Sequence, residues 1–217
     1  MSKKEKNLRK KSMVFRLLQI PGRHLCRWAF PSRIQGLENF PEKGKIIVCS
    51  NHISNFDPLY LSTPPKRQLR YMAKKELFKN KFAGWFISQM GAFPVDRGSG
   101  DTESINLAAK VLEDRGALAI FIEGTRSKDG QLGRPRNGAA MLAFQNKAPV
   151  IPVCITTKSG KAPKLFERVV ISYGEVIPYE ELGFVEGSSS EIRDASRLIM
   201  SKIAEMREHD QPIVDAF

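Results

Sequence analysis

The chain's 217 residues, 41% hydrophobic and 27% charged, suffice for one sizeable α/β domain with a small appended element, and they hold no low-complexity tract or internal repeat. Three well-separated cysteines, Cys26, Cys49 and Cys154, offer neither a disulfide framework nor metal-ligand spacing and suit a reducing, cytosolic compartment. The net charge of +12 belongs to one end: residues 1–33 hold ten Lys/Arg against the single acid Glu5, whereas the other 184 residues carry 25 bases and 22 acids.

The first predicted element is basic and amphipathic. On an ideal helix Arg16, Arg23 and Arg27 fall within about 40° of one another, with Val14, Leu17, Leu18, Leu25 and Trp28 on the opposite side. Pro21-Gly22 is expected to divide the segment into two short helices. A basic face opposite an apolar face with a Trp describes a helix lying in a membrane interface. The plain alternative is that the apolar face packs on the domain. Six net positive charges in the first sixteen residues favour the anionic membrane surface, because docking does not call for them. The run is too short and too charged to span a bilayer and lacks a signal-peptide cleavage pattern. A nucleic-acid reader should spread its cations over the folded domain, and 22 of the 23 acids lie there, so no nucleic-acid partner is expected.

Strand-like runs follow at 45–50, 69–73, 92–95, 117–122, 150–156 and 168–173. Helical patterns separate most of them, at 102–114 after a candidate cap at Asp101, and at 138–146. The last pattern, 189–208, starts with a capping box at Ser188 and Glu191. This alternation predicts an α/β domain with a mainly parallel central sheet flanked by helices, its chemistry at strand ends. The expected divisions are a basic amphipathic segment over 1–32, the α/β domain over 33–208 and a tail over 209–217.

Of the three histidines, His24 falls in the amphipathic segment and His209 at the end of the last helical pattern. Only His52 follows a predicted buried strand, in "NHISNFDP". Five residues on a regular helix turn through about 140°, so His52 and Asp57 meet only if residues 52–56 form a turn. Pro58 favours that turn and makes Asp57 a candidate N-cap. As a cap, Asp57 is scaffold. With its second oxygen on His52 Nδ1–H, it also leaves Nε2 as a general base. There is no G-x-S-x-G, and Cys49 lies inside the strand rather than at an elbow, so the nucleophile is expected to be a substrate hydroxyl.

Three other strand ends deliver polar groups. "FIEGTRSKDG" places Glu123, Gly124, Thr125 and Arg126 after the most apolar strand; "GAFPVDRG" places Arg97 beside Asp96; "YMAKKELF" places Lys74 and Lys75. Each alone reads as solvated charge. Together they describe a site for an anionic substrate beside a general base. No phosphate-binding loop competes, since "GSG" at 98–100 lacks its third glycine and G-x-x-x-x-G-K is missing.

These blocks resemble the glycerolipid acyltransferases, specifically the 1-acylglycerol-3-phosphate (lysophosphatidic acid) acyltransferases. "NHISNFDP" resembles the N-H-x4-D-P block, "GAFPVDRG" the second block, "FIEGTRS" the E-G-T-R-S block and "VIPVCI" the fourth, with "MAKKELF" similar to a K-x-E-L segment. The blocks span residues 33–157 in family order, with Ile122 standing where members commonly have Pro. The resemblance implies a glycerol-3-phosphate acyltransferase-like fold and transfer of a fatty acyl group from a thioester to lysophosphatidic acid, giving phosphatidic acid. It implies His52 as base and Asp57 as its orienter. Lys74, Arg97 and Arg126 would hold the phosphate, Glu123 and Gly124 would shape the acceptor site, and the fourth block would line the acyl side. No metal or redox cofactor is implied. The donor is acyl-coenzyme A or acyl-carrier protein, and the place is the cytoplasmic side of the cell membrane, reached peripherally through residues 1–30. The alternatives are glycerol-3-phosphate or another lysolipid as acceptor, or a non-catalytic polybasic lipid-binding module.

Overall fold

The computed structural model describes residues 12–95 and 102–216. Arg97 with Asp96, the cap expected at Asp101 and the basic residues 1–11 lie outside them. In chain order the elements are α1 (Met13–Ala29), β1 (Ser32–Gln35), β2 (Ile46–Ser50), α2 (Asp57–Ser62), β3 (Leu69–Lys74), α3 (Lys81–Gln89) and β4 (Ala92–Val95), followed by α4 (Thr102–Glu113), β5 (Ala117–Phe121), α5 (Gly138–Asn146), β6 (Val150–Thr157), β7 (Val169–Tyr173) and α6 (Ser189–Ala216).

Seven strands form one sheet in the order β1-β7-β6-β2-β5-β3-β4. Strands β2 to β6 run parallel, and the β6–β7 pair is antiparallel, so β7 and its parallel neighbour β1 point the other way. The central strand β2 is buried at every residue, which is why its sequence reads as a continuous apolar run rather than an alternation. Its residues divide between two cores. Ile47 and Cys49 face α4, α5 and α6. Ile46 and Val48 face Tyr60 and Leu61 of α2 together with Phe40. The mainly parallel α/β sheet flanked by helices is therefore as expected.

Three local expectations differ. Helix α1 is continuous through Pro21 instead of dividing there. It is tethered on both sides of the proline: Gln19 Nε2 donates to the Pro65 carbonyl, and Arg23 donates to those of Thr63 and Pro64. At the other end, α6 runs to Ala216 through Pro212, so residues 209–216 are helix rather than tail, with Asp210 and Val214 buried. Finally, β1 is a four-residue strand that periodicity did not reveal. At the start of α6, the Glu191 N–H bonds Ser188 Oγ as a capping box requires, while the Glu191 carboxylate reaches further back, to the N–H groups of Val185, Glu186 and Gly187.

Candidate active site

The site is built where β2 and β5 end level with each other, at Ser50 opposite Phe121. This is also where the chain order reverses across the sheet, the usual place for ligands in open α/β folds. The shared register puts His52, two residues past β2, against Glu123, two residues past β5.

Asn51 opens the turn. Its buried side chain pairs with the backbone of Ile155 as another strand residue would, donating to the carbonyl and accepting from the N–H, each at 2.9 Å. His52 follows with its backbone fixed at both groups. Its N–H donates to Glu123 Oε1 at 2.9 Å, and its carbonyl accepts from the Ser127 N–H at 2.8 Å. The imidazole stacks on Phe121, ring centroids 3.9 Å apart and planes 11° from parallel. Nδ1 lies 2.6 Å from Asp57 Oδ2. With Nδ1–H given to that carboxylate, the ring's lone pair sits on Nε2, the geometry a general base needs.

Asp57 is fully buried, but it is not the N-cap. It is the first residue of α2, and Phe56 holds the cap position without a side-chain bond. Its Oδ2 accepts from the N–H groups of Ile53 at 2.7 Å and Ser54 at 2.8 Å as well as from His52. The carboxylate thus closes the preceding turn instead of capping the helix ahead. One oxygen does the work that the sequence divided between two. Two further amides are bonded within the turn: the Phe56 N–H donates to Ser54 Oγ, and that of Asp57 to the Ser54 carbonyl.

Glu123 spans two loops. Oε1 holds His52, and Oε2 accepts from the Gly133 N–H at 2.8 Å. Position 133 must therefore be open, since a Cβ there would lie 2.8 Å from Oε2. Gly124 turns the chain away from β5 with φ +73° and lies against Arg136, whose N–H returns to the Ile122 carbonyl at 2.7 Å. So Glu123 fixes the backbone of His52, and Gly124 permits the turn.

That return creates a pocket of about 490 Å³ bordered by Glu123, Arg126, Ser127, Asp129, Arg134 and Arg136. Arg126 is exposed and lines it. Arg134 and Arg136, from "GRPRNG", were not anticipated. They lie eight and ten residues past Arg126 in a polar stretch without periodicity, and the Gly133–Glu123 and Arg136–Ile122 bonds bring them back. Asp129 stands in the same lining as an anion, since the Gln131 N–H and the Ser127 hydroxyl both donate to its Oδ1 and hold its pKa below the ordinary range, so the three arginines outnumber the two acids. Lys74 stands at the end of β3, outside the pocket's lining, exposed and 3.4 Å from Glu76. The fourth block, β6, is buried throughout and packs into both cores. Its contact with the site runs through the Ile155–Asn51 bonds. Burial pushes the Cys49 thiol far up and that of Cys154 up to about 12, so neither supplies a thiolate.

A family model described as Acyltransferase matches residues 31–156. The 1-acyl-sn-glycerol-3-phosphate acyltransferase of Bacillus subtilis (strain 168) is 36% identical over 139 residues, 63% of this chain and 67% of that protein. The protein of the same description from Streptococcus pneumoniae (strain ATCC BAA-255 / R6) is 36% identical over 143 residues, 63% of this chain and 51% of its own length. The chain thus spans about half to two thirds of the length of these curated relatives. The crystal structure of the 1-acyl-sn-glycerophosphate (LPA) acyltransferase PlsC from Thermotoga maritima has the same fold, with a TM-score of 0.74 over 90% of this chain and 79% of that one at 23% identity. Because the family model covers more than half of the chain and contains both the His52 turn and the Glu123–Arg136 pocket, the chain belongs to the acyltransferase family.

Proposed function

We propose that this acyltransferase moves a fatty acyl group from a thioester to the free hydroxyl of lysophosphatidic acid, forming phosphatidic acid. The observation that carries the reading is the His52–Asp57 pair, its carboxylate fully buried, beside a pocket with three arginines at the C-terminal end of the parallel strands, where neither Cys49 nor Cys154 is ionised. The names of the relatives above supply the substrate class.

The chemistry follows from the geometry. Nε2 of His52 takes the proton from the acceptor hydroxyl as its oxygen attacks the thioester carbonyl carbon. Asp57 stabilises the imidazolium that forms. Collapse of the tetrahedral adduct breaks the C–S bond, and the imidazolium returns its proton to the departing thiolate, leaving an ester and a free thiol. Arg126, Arg134 and Arg136 suit a phosphate dianion, since their forked donors match its oxygens. Lys74 and Arg97 join them as contributors on the strength of the family blocks. The thioester is carried by coenzyme A or by acyl-carrier protein.

The reading includes a place for the enzyme. Helix α1 leaves Met13, Leu17, Ile20, Leu25 and Trp28 exposed while Phe15, Gln19 and Arg23 fasten it to the domain. This supports peripheral attachment of the basic N-terminal segment to an anionic membrane surface on the cytoplasmic side. Serine at Leu17 and Leu25 should then weaken binding to anionic vesicles, and unchanged binding would remove this part of the reading.

A thioester-release assay tests the reaction, with lysophosphatidate, glycerol-3-phosphate and lysophosphatidylcholine offered separately as acceptors. Turnover is expected with lysophosphatidate, and His52→Ala should lower it by at least about 10²-fold at unchanged Tm. A folded His52→Ala protein with full turnover overturns the general-base assignment, and preference for either of the other acceptors overturns the substrate.

A further inference from the structure

Helix α3 holds a surface that its own folding does not explain. Asn80 caps it, its side chain accepting from the N–H groups of Phe82 and Ala83. Gly84 marks the inner face, packed so closely that a Cβ would lie 3.0 Å from the Phe78 backbone. On an ideal helix Phe82, Trp85 and Phe86 fall within about 100° of one another on the opposite side. They are 75%, 51% and 39% exposed, and Leu77 in the short 3-10 turn Lys75–Phe78 is 57% exposed. Phe82 and Trp85 touch each other, with ring centroids 6.1 Å apart. An aromatic cluster of this kind left in water marks a contact surface rather than scattered surface apolarity.

We propose that the α3 face is a second membrane-contacting element, whose aromatic residues enter the interface of an anionic bilayer next to the active site. Three observations choose a lipid surface over other occupants. First, the cluster is rimmed by exposed Lys75, Lys79 and Lys81, with Glu76 the one acid in the run 74–89 and already beside Lys74. Trp and Phe with a lysine rim match the acyl–headgroup boundary of anionic lipid. Secondly, the patch continues onto α1. Ser12 Oγ donates to Gln89 Oε1 at the end of α3, and the exposed Met13 and Leu17 follow directly. Thirdly, the excursion starts at Lys74, where β3 ends on the same C-terminal side of the sheet as His52 and Glu123. Under the proposed reaction the acceptor is a membrane lipid, so this inference rests on that reading. An α3 face seated in the bilayer would hold the site where such a lipid need travel little to reach it.

The chain contains two tryptophans, Trp28 in α1 and Trp85 in α3, which lets each helix be observed separately. In full-length Trp28→Phe, Trp85 is the sole reporter. It is mixed with vesicles of phosphatidylcholine and phosphatidylglycerol brominated on their acyl chains. The expected result is a blue shift and quenching of Trp85, and about tenfold or weaker vesicle binding in Phe82→Ser/Phe86→Ser. The double variant should keep its turnover on a short-chain, monomeric lysophosphatidate and lose it selectively on vesicle-borne acceptor. Trp85 unquenched while Trp28 is quenched in Trp85→Phe would overturn the inference. So would a Trp85 signal that follows protein concentration without lipid, which would make the occupant a second copy of this chain. Quenching does not depend on catalysis, so absence of turnover with any lysophosphatidate would count against the proposed reaction and not against α3.

Discussion

Replacing Asp57 by Asn removes the negative charge beside His52 and leaves the turn's hydrogen bonds in place. Oδ2 accepts from the imidazole and from two backbone N–H groups, those of Ile53 and Ser54, while the buried Oδ1 has no hydrogen-bond partner among the described residues. An asparagine oxygen in the Oδ2 place can go on serving all three donors, with its NH2 in the place of Oδ1. The imidazolium formed in the reaction then faces a neutral amide. The protein should therefore fold, with Tm reduced modestly, and lose turnover by a factor on the order of 10²–10⁴. Thermal denaturation paired with the thioester-release assay checks both halves. Turnover within tenfold of wild type would show that the carboxylate's charge does not stabilise the imidazolium. Asp57 also explains why its role is only half legible in sequence. "D-P" after a short turn reads as a helix start, and it is one, but the carboxylate's direction depends on backbone torsions in residues 52–56 that no residue type fixes.

At the scale of elements, the most exposed dependency is the junction of β2 and β6. Asn51 completes the sheet with a side chain, giving Ile155 both of its backbone partners in a fully buried place. Asn51→Ala strands a buried N–H and a buried carbonyl at about 1–3 kcal/mol each, so a loss of roughly 2–5 kcal/mol is expected. For a chain of this size that is a Tm decrease of roughly 5–15 °C. Denaturant unfolding followed by circular dichroism measures it, and a loss below about 1 kcal/mol would mean that the strands re-pair without Asn51. The same elements show what sequence patterns convey. The runs of β2, β5 and β6 are readable because burial on both faces favours apolar side chains, Val, Ile, Leu and Ala foremost, at consecutive positions. "SRIQ" is not, since β1 is a short edge strand with polar side chains. Pro21 and Pro212 mislead for one shared reason: the missing N–H bond is offset by tertiary anchors beyond the proline, Arg23 in α1 and Val214 in α6. Arg134 and Arg136 escaped notice because a loop's return path leaves no periodic trace.

For the whole molecule, the antiparallel side of the sheet is bound to the C-terminal helix by one carboxyl group. Asp210 of α6 accepts from Gln35 in β1 at 3.1 Å, from Ser172 in β7 at 2.8 Å and from Thr156 in β6 at 3.4 Å. Those donors favour the anion, yet burial outweighs them and raises its pKa above the ordinary carboxylate value of 3.8. A carboxyl with its folded pKa raised binds its proton more tightly in the native state than in the unfolded chain. Its favourable contribution is full below the unfolded pKa and is lost as pH rises through the folded one. Wild-type stability should thus lose a component just above the normal carboxylate range, and Asp210→Asn should not. The asparagine oxygen can still accept from Ser172 and Gln35, and its NH2 can donate to the Thr156 hydroxyl, so the three strands stay tied. His209, with Nδ1 3.5 Å from Asp210, is best replaced by Gln in both proteins so that the difference reports position 210 alone. Melting curves of the two chains between pH 3.5 and pH 8 should diverge in favour of Asp210→Asn as pH rises. Parallel curves would mean that the Asp210 pKa is the same in the folded and unfolded chains, and that the network holds the anion as readily as water does.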